Sequence, residues 1–124
     1  MNLDMNILIV DDFETMRRII KGALKEIGFY NFLEADDGKN ALSRLEKNKV
    51  DLIISDWIMP NMSGLELLKA VKKDEKLKKI PFIMVTAEGH KKNVLEAINA
   101  GVDNYIVKPF SSETLQEKIK KIIK

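Results

Sequence analysis

The chain has 124 residues, 45% of them hydrophobic, which fits one globular domain with one core. It holds no Cys and one His, excluding disulfides, thiolate nucleophiles and Cys- or His-rich metal sites, and its net charge of +2 is too even for a nucleic-acid binder. No apolar run reaches the roughly 18 residues of a membrane span, and Met1-Asn2-Leu3-Asp4-Met5 has no secretory pattern, so a cytoplasmic protein without membrane contact is expected.

Met5 to Val10 reads as a first strand, ending at Asp11-Asp12. Met16, Ile19, Ile20, Ala23, Leu24 and Ile27 then recur at helical spacing, and Gly28 is a natural stop. Phe32 to Ala35 is a short second strand, followed by a turn and cap at Asp36-Asp37-Gly38 and a helix through Leu42 and Leu45. Leu52-Ile53-Ile54 is a continuous apolar run, as expected of a strand (52 to 56) covered on both faces. Ser63 with Glu66 three residues on forms a capping box for a helix carrying Leu65, Leu68 and Val71. The mixed charges from Lys69 to Lys79 read as a solvated helix end and loop.

Ile80 to Val85 makes a fourth strand, ending in Thr86-Ala87-Glu88-Gly89. A fourth helix carries Val94, Leu95 and Ile98 and stops at Gly101. Tyr105 to Val107 is a fifth strand, ending at Lys108-Pro109, and the last helix starts near Ser111 or Ser112 and buries Leu115, Ile119, Ile122 and Ile123. Five strands alternating with five helices predict an α/β fold, a doubly wound parallel sheet, with residues 1–124 forming a single domain.

Polar groups sit at the carboxyl ends of four of these strands: Asp11 and Asp12, then Asp56, Thr86 and Lys108. Ligands in open α/β sheets bind outside those ends. Three crowded carboxylates repel, and a hard divalent cation such as Mg2+ relieves this. Asp56 is then a candidate nucleophile forming an aspartyl phosphate. Lys108 and the cation would neutralise the phosphoryl oxygens, and the Thr86 hydroxyl would donate to one of them. No P-loop or Gly-rich nucleotide fingerprint is present, so a nucleotide donor would be handled elsewhere.

These residues resemble the response-regulator receiver domains, most of all the single-domain chemotaxis regulators. The match is carried by Ile9-Val10-Asp11-Asp12, Thr15-Met16-Arg17-Arg18-Ile19, Ser55-Asp56-Trp57, Met59-Pro60-Asn61-Met62-Ser63-Gly64-Leu65, Met84-Val85-Thr86-Ala87-Glu88 and Val107-Lys108-Pro109-Phe110. The resemblance implies the flavodoxin-like strand order 2-1-3-4-5. It also implies that Asp56 is the phosphoacceptor, served by a histidine kinase or a small acyl phosphate. Asp12 would bind Mg2+ directly and Asp11 through water, with Asp56 and the main-chain oxygen of Ile58 completing the ligands. Thr86, Lys108 and the Ala87 amide would contact the phosphoryl group, and the Lys108-Pro109 bond would be cis. Tyr105 would move with Thr86 as a switch. The output face would offer Lys91, Lys92, Tyr105, Lys118 and Lys121 to an acidic and apolar partner segment, the flagellar motor switch being the expected target.

On this reading the chain is a monomeric signalling switch and not a turnover enzyme, with slow autodephosphorylation and scope for a separate phosphatase. A phosphorelay intermediate, passing the group to a histidine phosphotransfer protein, is the alternative within the family. An aspartyl-phosphate phosphatase would need a second Asp two residues past the nucleophile, where this chain has Ile58, and a flavin carrier would need loops that are absent. Ile58 stands where the family is often polar, and it flanks the path of attacking water together with Glu88. Phe13 is read as an apolar lid or staple, and Trp57, the sole tryptophan, as a reporter on the site.

Overall fold

The computed structural model describes residues 2–87 and 91–123, and for Lys91 and Lys92 the backbone alone. The elements in chain order are β1 (Asn6–Val10), α1 (Glu14–Ile27), β2 (Asn31–Ala35), α2 (Gly38–Lys47), β3 (Leu52–Asp56), α3 (Gly64–Lys73), β4 (Phe82–Thr86), α4 (Lys91–Asn99), β5 (Asn104–Val107) and α5 (Ser112–Ile122). All strand pairs are parallel, in the order β2-β1-β3-β4-β5. The expected α/β architecture and strand order are therefore both present.

The apolar runs explain the layers. Every residue of β3 and of β4 is buried, because helices cover both faces of the sheet. On one face Ile7, Ile9, Leu52, Ile54, Ile83 and Val85 pack with Ile20 and Leu24 of α1 and Leu115 and Ile119 of α5. On the other, Leu8, Val10, Ile53, Phe82 and Met84 pack with Ala41 and Leu45 of α2 and Leu67, Leu68 and Val71 of α3. Each fully buried Leu or Ile contributes about 1.5–3 kcal/mol. No helix among the described residues is long and apolar enough to cross a membrane.

Helix ends follow local chemistry. Asp37 caps α2 by accepting from the Asn40 N–H, and Ser63 and Glu66 form the expected capping box on α3. Ser111 caps α5, accepting from the Thr114 N–H. Gly28 ends α1 at φ 121°, a conformation that suits glycine, with its N–H on the Leu24 and Lys25 carbonyls. Downstream of α3, the Lys69–Lys79 run is largely exposed as expected, with Lys72 paired to Asp103 at 3.0 Å.

Several sequence expectations need correction. β4 begins at Phe82 and not Ile80, since Pro81 has no N–H for the ladder, and Thr86 is its last residue. Ile19, Leu95 and Ile98 fit the helical period but are more than half exposed, and Ala97 is the buried contact of α4. The apolar stripe on α1 and α4 is wider than the surface that neighbouring elements cover. Ile122 and Ile123, at the end of α5, are only partly buried, though both pack against the core. Phe13 is the N-cap residue of α1, contributes no side-chain cap and is 66% exposed, so it is neither packed nor a staple.

Candidate functional site

Parallel pairing brings the carboxyl ends of the strands to one edge. Val10 lies opposite Ser55, Asp56 opposite Val85, and Thr86 opposite Val107. Asp11 and Asp12 thus leave β1 beside the end of β3, and Lys108 leaves β5 beside the end of β4. The chain gathers these groups from positions nearly 100 residues apart because each strand stops at the same level.

Asp11 is fully buried. Its backbone N–H donates to the Ala35 carbonyl at 3.1 Å, and its Oδ1 accepts from the Phe13 N–H at 2.9 Å, an Asx-type turn leading into α1. Arg17 donates to the Asp11 carbonyl at 2.6 Å and to Glu34 at 3.0 Å, so α1 grips the turn from behind. Neither aspartate caps the helix, the plainest alternative use for an acidic pair in that position.

Carboxylate oxygens of Asp11, Asp12 and Asp56 all lie within 4.8 Å of one another. Asp11 Oδ2 and Asp12 Oδ1 are buried without any hydrogen-bond donor. The Lys108 ammonium approaches Asp56 Oδ1 at 3.1 Å and Asp11 Oδ2 at 3.6 Å, the second too long for a hydrogen bond. Burial pushes the Asp11 carboxyl above its ordinary range; the Phe13 N–H opposes this, and the negative charge of Asp56 adds to it. Orphaned, desolvated carboxylate oxygens of this kind are costly. A hard divalent cation fits the set, because its charge and oxygen preference satisfy those atoms together.

Above the carboxylates opens a cleft of about 550 Å³. Asp12, Asp56, Thr86, Ala87 and Lys108, all singled out above, line it. Thr86 is nearly buried at the end of β4, and its carbonyl accepts the Lys108 N–H at 2.8 Å, tying the two strand ends together. Lys108 precedes Pro109 through the expected cis bond. Phe13 and Ile58, 66% and 77% exposed, form apolar flanks at the mouth, while Trp57 is half-buried beside them. Asn93, in the first turn of α4, also lines the cleft. Sequence reasoning missed it, since no local motif marks the residue and only the packing of α4 brings it there.

Other expected residues lie elsewhere. Tyr105 is outside the cleft, half-buried against the α2–α3 side of the sheet, with the Lys118 ammonium 5.2 Å from its ring centre. It pairs with Met84, two residues before Thr86 on β4. Lys121 is exposed on α5. Glu88 and the side chains of Lys91 and Lys92 lie outside the described residues.

Five parallel strands in this order, with an acidic cluster, a hydroxyl and a lysine at their carboxyl ends, define a receiver domain. Residues 7–120 match the response regulator receiver domain family, and the chain belongs to that family. Within it the chain is CheY-like. It is 52% identical over 122 residues to chemotaxis protein CheY-3 of Vibrio cholerae, covering 98% of this chain and 94% of that one. It is 54% identical over 118 residues to chemotaxis protein CheY of Pseudomonas aeruginosa, covering 95% of each. Among solved structures it is similar to chemotaxis response regulator CheY4 of Vibrio cholerae, with a TM-score of 0.88, 33% identity, and 97% of this chain and 99% of that one covered. A putative response regulator from Chloroflexus aurantiacus gives a TM-score of 0.90 at 31% identity, over 96% of this chain and 97% of that one. Proteins of this kind are signalling proteins rather than turnover enzymes; they take phosphate from histidine kinases and bind Mg2+ at an acidic pocket.

Proposed function

We propose that the chain acts as a single receiver domain that accepts a phosphoryl group on Asp56 and thereby changes its affinity for a protein partner. The observation that carries this reading is the Asp56 carboxylate at the floor of an open cleft, 3.1 Å from the Lys108 ammonium and beside Asp11 and Asp12. A carboxylate oxygen of Asp56 attacks the phosphorus of a phosphohistidine or acyl phosphate. The new P–O bond forms as the bond to the donor breaks, and the leaving group departs with the electron pair. Asp11, Asp12, Asp56 and the Ile58 main-chain oxygen would hold Mg2+, which when bound neutralises charge on the phosphoryl oxygens. Lys108 pairs with the same oxygens, and the Thr86 hydroxyl and Ala87 amide donate to them.

The new charge at Asp56 draws Thr86 toward it and leaves room beneath for Tyr105 to turn inward, biasing a two-state surface of α4, β5 and α5. That surface, with Tyr105, Lys118 and Lys121 and the flanking Lys91 and Lys92, is the proposed output face. Its expected target in the cytoplasm is the flagellar motor switch, with a chemotaxis-type histidine kinase upstream, as the similarity to chemotaxis proteins supports.

The test is mass spectrometry after exposure to acetyl phosphate and Mg2+. One phosphoryl adduct is expected on the wild-type protein and none on Asp56→Asn or in EDTA. An adduct that survives Asp56→Asn would overturn the assignment. Pull-down of motor switch protein that strengthens with beryllofluoride supports the output, and equal capture in both states refutes it.

A further inference from the structure

The β3–α3 connection, residues 57–63, carries Ile58 past the cleft and is pinned at two points. At its far end Gly64 lies against β3. A Cβ there would stand 2.1 Å from the Asp56 carbonyl oxygen, and the Gly64 N–H donates to the Trp57 carbonyl at 2.8 Å. In its middle, Asn61 Nδ2 donates to Asp37 Oδ2 at 2.8 Å, while Asp37 Oδ1 accepts the Asn40 N–H at 2.8 Å and caps α2. One nearly buried carboxylate thus serves a helix end and a loop 24 residues away.

The backbone points the same way. Asn61 has φ 65°, the only non-glycine residue with positive φ among the described residues. Asparagine tolerates that region better than most residues, but glycine would adopt it at no steric cost. What glycine could not supply is the amide that reaches Asp37. The next residue, Met62, closes over Gly38, where a Cβ would stand 2.6 Å from its side chain. The loop is therefore drawn tightly onto the first turn of α2.

Ile58 lies between Trp57, whose carbonyl accepts the Gly64 N–H, and Asn61, which is held by Asp37. Its own side chain is 77% exposed and anchors nothing. Met59 is buried next to it, yet a flexible thioether fixes depth better than the orientation of a peptide plane. We propose that the Asp37–Asn61 hydrogen bond is a positioning latch for the cation site, holding the β3–α3 connection so that the Ile58 carbonyl is presented to the ion. This rests on the reading of Asp11, Asp12, Asp56 and the Ile58 main chain as ligands. Asp37 and Asn61 are positioning residues, touching neither ion nor phosphoryl group.

The experiment is a calorimetric Mg2+ titration of the wild type, Asn61→Gly, Asp37→Ser and the double variant. Asn61→Gly keeps the backbone conformation without the amide. Asp37→Ser keeps a good cap on α2 but is too short to reach Asn61. Each single change is expected to weaken Mg2+ binding roughly three- to tenfold, below the tenfold or more seen for direct partners of metal ligands. The double variant should be no weaker than the weaker single one, as for two ends of one bond. Thermal midpoints in EDTA should stay close to wild type, while the upward shift on adding Mg2+ shrinks. Midpoints that fall in EDTA with Mg2+ affinity unchanged, or losses that simply add, would overturn the latch. A wild type that binds Mg2+ no differently from the variants sinks the latch alone. A wild type that takes up no Mg2+ removes the metal reading and the latch with it.

Discussion

The Lys108 ammonium sits 3.1 Å from Asp56 Oδ1 and 3.6 Å from Asp11 Oδ2, so one cation serves two carboxylates that leave different strands. The lysine side chain is 19% exposed and Asp11 is fully buried, which places the cluster between a surface and an interior ion pair. Replacing Lys108 by Met leaves the three acids facing each other. Metal-free stability at neutral pH should fall by about 2 kcal/mol, less than the 3–5 kcal/mol typical of a fully buried broken pair. Added Mg2+ should recover more stability in the variant than in the wild type. Urea unfolding with and without the ion measures both.

Asp11 is predicted to oppose folding at neutral pH when no cation is bound. Burial raises its carboxyl pKa in the folded state above the unfolded value of 3.8. The folded protein therefore binds the proton more readily, and the stabilising contribution is present below the unfolded value and lost as pH rises through the folded one. Asp11→Asn keeps an oxygen for the Phe13 N–H and removes the charge. In EDTA at pH 7 the variant should be the more stable of the two, and the difference should close on acidification. Chemical denaturation across pH 4–8 checks the sign, and Mg2+ should reverse it.

Glu34 should behave in the opposite way. Its hydrogen bond with Lys21 at 2.8 Å, helped by Arg17 at 3.0 Å, lowers its pKa below 4.5. Stability from this group is present above the unfolded value and lost as pH falls through the folded one. The Glu34 side chain is 36% exposed, so solvent screens the pair and Glu34→Gln should cost only about 0.5–1 kcal/mol at neutral pH. The cost should disappear in acid and shrink in high salt.

Two glycines should answer alanine in opposite directions. At Gly64 a Cβ would stand 2.1 Å from the Asp56 carbonyl oxygen, a backbone atom that cannot step aside. Gly64→Ala should cost about 3 kcal/mol or more and disturb Mg2+ binding as well. Gly22 lies inside α1 with nothing within 4 Å of where a Cβ would stand. Gly22→Ala should stabilise by about 0.5–1 kcal/mol from helix propensity alone. Thermal unfolding of the two variants side by side decides it.

Much of this molecule is legible in its sequence. Leu52-Ile53-Ile54 pointed to a strand covered on both faces because a parallel sheet between helices hides so continuous an apolar run, and β3 is buried throughout. Ser63 and Glu66 gave the start of α3 because capping is chemistry between neighbours. That Asp11, Asp12, Asp56, Thr86 and Lys108 meet at one place could be read because strand ends in such a sheet share one edge. Periodicity misjudged Ile19, Leu95 and Ile98, since it reports which residues share a helix face and not whether a neighbour covers that face.

The sequence by itself determined the elements, their caps and the residue types that meet at the sheet edge, all of which depend on interactions between residues near in the chain or on the period of the pattern. Tertiary structure alone decided the rest. It buried Asp11 Oδ2 and Asp12 Oδ1 without donors, set Lys108 between two acids, brought Asn93 to the cleft and tied Asn61 to Asp37. Those relationships depend on how far each element is displaced and turned when it packs, and that geometry is fixed by close packing of the whole core rather than by any local stretch.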